Sequence, residues 1–369
     1  MILEDQSNRR AAPAANGLPG LAGRILVKEV NWLGDLVISL PALRALRVGF
    51  PLAKLAVMVK RELAGFFDGM NWIDEVIPYT IRRGWAGARD RLRAVGKIRA
   101  GKFDLAILFP NSFESALWVT LAGVPRRAGF VADGRGAMLT HRARPAAAAL
   151  DGHQSAYWLE LVRATLGVAP PAESEAPPLE VARVHEEKMR TWLGGRRHAP
   201  EAPLIAIAPA AAYGPAKEWP AVRYTALIDL LTDRIGAECV LIGAPGEREL
   251  CERIAAASRA GAIVAAGATS IGELIALLAQ CAGFAGNDSG AMHLAAALGI
   301  PTIGIFGSTN PIRTGPRGPR AGFVYHRIDC SPCLARTCRY GHYDCLRGIS
   351  VEEVAGALAA AGAFAAGAG

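Results

Sequence analysis

The sequence predicts an α/β protein built as two doubly wound parallel-sheet domains that face each other across a cleft. Three observations carry this expectation. Short β-prone apolar runs alternate with helical segments along most of the chain, and strands that alternate with helices form parallel sheets covered on both faces. The alternation runs twice, interrupted by a stretch rich in Pro, Ala and Glu over Val168–Pro178. The length of 369 residues suits two domains, each able to bury its own core.

The elements follow in order. Residues 1–22, rich in Ala, Pro, Asn and Gly, read as a flexible tail. Ile25–Lys28 is the first strand, with a helix over about Leu36–Val48. Lys54–Val59, Asp74–Ile77 and Leu105–Phe109 are further strands with helical stretches between them, and Pro145–Asp151 breaks the pattern before a helix over His153–Leu166. After Gly194–Pro203 the alternation restarts with a strand at Leu204–Ala208 and a helix at Ala221–Ile235. A strand at Cys239–Ile242 and a helix at Arg248–Arg259 come next, then Ile263–Ala265, Gly272–Gln280, Gly283–Gly286, Ala291–Leu298 and Thr302–Phe306. The expected domains are 23–185 and 200–348, with a closing helix and tail over 349–369.

Composition narrows the function. With 51% hydrophobic and 20% charged residues the chain reads as folded and soluble rather than disordered. The closest candidate for a membrane span, the mostly Ala and Gly run Val354–Gly369, stops short of the ~18 residues such a span needs. Met1–Arg10 carries no apolar stretch of the secretory kind, so a cytoplasmic location is expected. The net charge is +8, and Arg82–Arg144 alone holds thirteen Lys and Arg against four acids. That stretch is either a solvated face or a contact for an anionic partner: a phosphate-rich substrate, a membrane surface or nucleic acid. No zinc finger, RNP motif or aromatic-interleaved basic stripe points to nucleic acid.

Ligands of doubly wound sheets bind beyond the carboxyl ends of the strands, which directs attention to three loops. No G-x-G-x-x-G follows the first strand, neither Gly-Lys pair is followed by Ser or Thr, and there is no Asp-x-Asp. Phosphate chemistry here must therefore rest on Lys, Arg and helix ends. In Asn31-Trp-Leu-Gly-Asp35, Asp35 is either a helix N-cap or a general base facing the cleft. In Pro209–Pro220, Lys217 is either merely exposed or a partner for an incoming phosphate. In Gly286-Asn-Asp-Ser-Gly-Ala-Met-His293, a helix opens at Ser289. The Ser289 and Gly290 amides make an anion site, Asp288 suits sugar hydroxyls, and His293 suits a structural hydrogen bond. Cys239, Cys251 and Cys281 read as buried thiols, whereas Cys330, Cys333, Cys338 and Cys345 form a C-x2-C-x4-C-x6-C cluster that holds either zinc, or reduced thiols or an occasional disulfide in a rim loop.

Ile25–Leu46, Pro110–Leu117, Ala122–Gly129, Tyr213–Pro220 and Asn287–Ala297 resemble the lipopolysaccharide heptosyltransferases of glycosyltransferase family 9, over about residues 24–360. The Tyr-Gly-Pro-Ala-Lys loop and the Asn-Ser-Phe segment favour the family's second type over its first. The chain departs from the family at Glu218, where a basic residue is usual, and in a Pro-Ala-Ala-Ala stretch that lacks a common glycine. The resemblance implies the two-domain GT-B fold and inverting transfer of heptose from ADP-heptose to the first heptose of Kdo2-lipid A. Types I and III, with other acceptors, and a non-catalytic binder of the same fold are the alternatives. It further implies Asp35 as general base and Lys217 on the diphosphate. Asp288, Ser289, Gly290 and His293 fall at the donor, Glu247 at the adenosine ribose and Thr269 near the adenine. Acceptor contacts fall to Asn111, Ser112, Arg126 and Arg127. No cofactor or active-site metal is expected, and the protein is expected at the inner face of the cytoplasmic membrane.

Overall fold

A computed structural model describes residues 23–168 and 179–364. The expected tail at 1–22, nearly all of the expected linker at Val168–Pro178, and the last five residues lie outside the described residues. The first half contains β1 (Arg24–Lys28), α1 (Leu33–Gly49), β2 (Lys54–Lys60), β3 (Glu75–Tyr79), α2 (Trp85–Ala100), β4 (Leu105–Leu108), α3 (Phe113–Leu121), β5 (Arg126–Phe130) and β6 (His141–Ala143). These strands make one parallel sheet in the order β3-β2-β1-β4-β5-β6. Helices α4 (Ala147–Asp151), α5 (Gln154–Leu166) and α6 (Arg183–Gly194) follow.

The second half contains β7 (Leu204–Ala208), α7 (Ala221–Ile235), β8 (Glu238–Leu241), α8 (Arg248–Ala257), β9 (Ile263–Val264), α9 (Ile271–Leu278), β10 (Gly283–Asn287), α10 (Gly290–Ala297), β11 (Thr302–Phe306), α11 (Pro311–Thr314) and β12 (Ala321–Tyr325). Its sheet, also parallel, runs β12-β11-β10-β7-β8-β9. After α12 (Asp344–Arg347), α13 (Val351–Ala360) packs back on α7 and on the β10–β12 side of this sheet. Counted within each half, both sheets share one order. Each therefore has a switch point where chain direction reverses, between β1 and β4 and between β7 and β10.

Local sequence accounts for the central elements. β7, β10 and β11 are buried along their whole length, as parallel strands covered on both faces require. Ser270 and Ser350 start α9 and α13 with capping boxes to Glu273 and Glu353, and Gly167 and Gly236 end α5 and α7 in the left-handed conformation. Three strands escape the sequence pattern: β5 (RRAGF), β6 (HRA) and β12 (AGFVY) are short, charged or glycine-bearing, and their pairing partners rather than their own apolar content define them. The boundary expected at 185 falls inside α6. That helix buries Met189 and Leu193 and packs against α9 of the second half.

The two halves meet along α1 and α10 and where the 3-10 segment Arg61–Phe67 packs on α9. Across the same junction, Arg313 donates to the Leu150 carbonyl and His153 Nε2 to the Gly315 carbonyl at 3.0 Å.

Candidate functional site

Both switch points open onto this junction. Helix α1 begins at Leu33 with Trp32 as its N-cap, so Asp35 is the third helical residue and not the cap. Its carboxylate is half-buried and is pushed up to about 6, chiefly by burial; Asp288 pushes the same way and the Lys217 ammonium opposes both. Asp35 therefore shares the junction with two charges contributed by the second half. The approach is close because the contacting residues are glycines. A Cβ on Gly34 would lie 3.0 Å from His293 Cδ2, and one on Gly290 would lie 2.8 Å from Leu33 Cβ. The amino ends of α1 and α10 thus abut, and their positive dipole ends converge on one place.

On the second half, Lys217 ends a 3-10 turn (Pro215–Lys217) in the loop after β7. Its ammonium donates to Asp288 Oδ2 at 2.5 Å, and Thr309 Oγ1 donates to the same oxygen at 2.7 Å. Tyr213 lies beneath, with Lys217 Nζ 4.9 Å and the Arg336 guanidinium 5.0 Å from its ring centre. The cysteine-bearing segment props this loop. The Arg336 carbonyl accepts from Ala216 N at 3.0 Å, and the Leu334 carbonyl accepts from the Tyr213 hydroxyl at 2.6 Å. Gly214, at φ +141°, leaves room for the Arg336 carbonyl, which a Cβ would meet at 2.6 Å.

Asn287 ties β10 to that loop. Buried, it accepts from Trp219 N (3.0 Å) and the Tyr224 hydroxyl (2.7 Å) and donates to the Pro209 carbonyl (2.7 Å). Ser289 caps α10 without using its hydroxyl, and both Ser289 Oγ and Ser308 Oγ are buried without a hydrogen-bond partner among the described residues. β10 pairs with β11, so these hydroxyls stand at adjoining strand ends. A buried polar atom left unpaired costs about 1–3 kcal/mol, which an arriving oxyanion would relieve. His293 is buried in α10 and pushed down to about 4, first by burial; it is a neutral ring packed on Gly34. Glu247 and Thr269 stand at the carboxyl ends of β8 and β9, where Glu247 Oε2 accepts from Ala244 N at 2.7 Å.

The first sheet opens on a cavity of about 300 Å³ lined by Lys28, Asn31, Lys60, Tyr79, Ser112 and Glu114 among others. Lys28 ends β1 buried, and burial pushes it down to about 7. Its Nζ donates to the Glu29 carbonyl (2.7 Å) and to the Tyr79 hydroxyl (3.0 Å), which in turn donates to Asn31 Oδ1 (2.7 Å). This relay fixes the Asn31 amide in the loop that leads to Asp35. Lys28, Tyr79, Ser308 and Arg135 were not anticipated from sequence; the one available signal was a lysine followed by a glutamate at the end of a central apolar strand.

Among the acceptor contacts expected, only Ser112 lines this cavity. Asn111 spends its amide on the Tyr157 hydroxyl (2.6 Å) and on Arg135 Nη2 (3.1 Å), where Arg135 is a fully buried cation. Arg126 and Arg127 are not brought to this cavity. They begin β5, in register with Leu105 and Ala106 at the start of β4, so they lie at the amino edge of the sheet, away from the cleft. The Arg127 guanidinium is spent on the Met138 and Val124 carbonyls at 2.5 Å each.

The cysteines Cys239, Cys251 and Cys281 are buried thiols pushed up to about 12 by burial. In the four-cysteine segment Cys330 Sγ lies 3.8 Å from His342 Nε2, and all four thiols are free. Among the described residues no set of three or more His, Cys, Asp or Glu is arranged to hold a metal ion.

The chain matches the family model described as Glycosyltransferase family 9 (heptosyltransferase) over residues 91–344. Lipopolysaccharide heptosyltransferase 2 of Escherichia coli (strain K12) is 30% identical over 319 residues, covering 83% of this chain and 90% of that protein. The solved structure of E. coli ADP-heptose lps heptosyltransferase II superposes with a TM-score of 0.78 at 26% identity, covering 92% of this chain and 98% of that one. The fold is also that of E. coli heptosyltransferase WaaC with ADP-2-deoxy-2-fluoro heptose, with a TM-score of 0.66 at 22% identity, covering 90% of this chain and 98% of that one.

Proposed function

The chain belongs to glycosyltransferase family 9, the heptosyltransferases, and we propose that it transfers heptose from ADP-heptose to the first heptose of Kdo2-lipid A with inversion at the anomeric carbon. It is a glycosyltransferase acting in lipopolysaccharide core assembly, and its donor is a nucleotide sugar. The observation that carries the mechanism is one juxtaposition. A carboxylate raised to about 6 stands at the amino end of α1, against the Lys217–Asp288 pair and the amino end of α10.

In this reading Asp35 removes the proton from the acceptor hydroxyl as that oxygen attacks from the side opposite the leaving ADP. The departing diphosphate gains negative charge as its bond to the sugar breaks. Lys217, the α10 amides and the unpaired Ser289 and Ser308 hydroxyls supply preorganised donors at that point. Asp288 holds the ammonium in place before the donor arrives. Glu247 and Thr269 take the adenosine end. The reaction as proposed calls on no cofactor and no active-site metal. The acceptor enters from the first-sheet cavity, where Asn31 offers its oriented amide beside Asp35. No helix among the described residues is long and apolar enough to cross a membrane, and the protein is proposed to work as a peripheral enzyme at the inner face of the cytoplasmic membrane.

Substituting Asp35→Asn tests the base. Turnover is expected to fall by ~10²–10⁴-fold while ADP binding by calorimetry stays unchanged. In the wild type, kcat/KM is expected to rise with pH through about 6 as Asp35 loses its proton. Near-normal turnover of the asparagine variant removes Asp35 as base. Assays with Kdo2-lipid A with and without its first heptose decide the acceptor; transfer to the heptose-free form alone would reassign the enzyme to the first type.

A further inference from the structure

Helix α2 is partnered on one side only. Gly87, Asp90, Ala94, Val95 and Ile98 face inward and are buried. Opposite them stand Trp85, 92% exposed, and Leu92, 69% exposed. Seven residues apart, at about 100° per residue, the two point the same way within ~20°. Arg89 and Arg93 flank them, and Arg82 and Arg83 precede the helix. The only acid in α2, Asp90, is turned inward and bound by Arg82 at 2.8 Å and Arg93 at 3.3 Å. Arg83 and Arg89 have no ion-pair partner among the described residues. A soluble face has no need of a fully exposed tryptophan, whereas tryptophan and leucine among unpaired arginines is the composition of a surface that lies in a lipid headgroup layer.

Its place in the fold agrees. α2 starts just beyond the carboxyl end of β3, and Thr80 and Ile81, which lead into it, line the first-sheet cavity. Phe113, 46% exposed, opens α3, which packs against α2. The apolar-basic face therefore borders the cavity from which the acceptor is proposed to enter.

We propose that the outward face of α2, centred on Trp85 and Leu92 and flanked by Arg83 and Arg89, rests on an anionic phospholipid bilayer, with these two arginines on lipid phosphates. This rests on the glycolipid-acceptor reading above. It explains how a chain with no spanning helix among its described residues meets an acceptor anchored in a membrane.

The test uses the full chain and sedimentation with vesicles of phosphatidylglycerol and phosphatidylethanolamine, or of phosphatidylcholine alone. The wild type is expected to bind the anionic vesicles and lose them at high salt. The pairs Trp85→Ala/Leu92→Ala and Arg83→Ala/Arg89→Ala should each weaken binding by about tenfold or more. All four side chains are exposed, so unchanged melting temperatures are expected. Transfer to a deacylated, water-soluble acceptor should be unaltered in both variants, and transfer to the acceptor in vesicles should fall. Failure of the wild type to bind anionic vesicles, or wild-type binding by both variants, overturns the surface; the first result would leave an acidic protein as its partner. Absence of any transfer to the soluble acceptor would sink the enzymatic reading instead, independently of the vesicle result.

Discussion

Glu29 follows Lys28 at the carboxyl end of β1 and is fully buried. Its Oε2 accepts from Val30 N at 3.2 Å and from Ser39 Oγ at 3.3 Å, while Oε1 has no partner among the described residues. Burial pushes its carboxyl up to about 7. A raised carboxyl favours the folded state below the ordinary carboxylate range and loses that advantage as pH climbs to the folded value. Glu29→Gln keeps the acceptor oxygen and removes the charge. The variant should match the wild type at pH 4.5, then gain on it as pH rises, by up to about 3 kcal/mol at pH 8. Urea unfolding at the two pH values measures this, and an equal gain at both would assign the effect to packing. Residues of this kind explain what stayed hidden in the sequence. The Lys28–Tyr79 hydrogen bond joins positions 51 apart, and Arg135 meets Asn111 from 24 residues away. The loop motifs holding Asp35, Lys217 and Asp288 were legible because strand, turn and helix start lie consecutively in the chain. The partners that orient such groups are brought in by topology alone.

At the scale of elements, legibility follows burial. Leu204–Ala208, Ala221–Ile235 and Thr302–Phe306 coincide with β7, α7 and β11: the two strands are continuous apolar runs and the helix buries Tyr224, Leu227, Ile228 and Leu231 at helical spacing. The edge strand β6 and the arginine-led β5 carry no such pattern, so nothing in the sequence marked the arginines at 126 and 127 as the start of a strand. The contact between α1 and α10 was equally invisible, because two glycines mark it only by what they lack. Gly290→Ala would drive a methyl to 2.8 Å from Leu33 Cβ, too close for the helices to stay where they are. The junction must widen, and Asp35 must move from Lys217. Turnover should fall by about 10²-fold, as expected when reacting groups lose alignment by about 1 Å. Gly356→Ala in α13, where an added Cβ meets nothing within 4 Å, is the control and should stabilise the helix by about 0.5–1 kcal/mol. If both variants turn over like the wild type, the junction as described is not the working geometry.

Across the whole molecule, two neutral histidines stand where the halves join. His153 Nδ1 accepts from Ser155 N at 3.2 Å, so its proton sits on Nε2, which donates to the Gly315 carbonyl of the other half at 3.0 Å. His293 packs on Gly34 from the other direction. Both are pushed down to about 4, first by burial; Arg317 adds to this at His153, and at His293 the pull of Asp288 is opposed by His153 and Lys217. A histidine lowered in the folded state contributes stability above its ordinary value near 6.5 and loses it as pH falls toward 4, because the unfolded chain takes up a proton the folded one refuses. Each group should then remove about 1.4 kcal/mol per pH unit across that window. The charged forms would be accommodated most cheaply by parting the halves, so acid should open the junction before it unfolds either sheet. His153→Gln preserves a donor toward Gly315 and cannot charge. Small-angle scattering at pH 7 and pH 5 should show a larger radius of gyration for the wild type at pH 5, and a smaller change for the variant. Heptose transfer should be lost over the same interval more steeply in the wild type than protonation of Asp35 alone explains. If the two proteins expand alike and lose activity alike, the junction holds without His153, and the acid sensitivity belongs to Asp35.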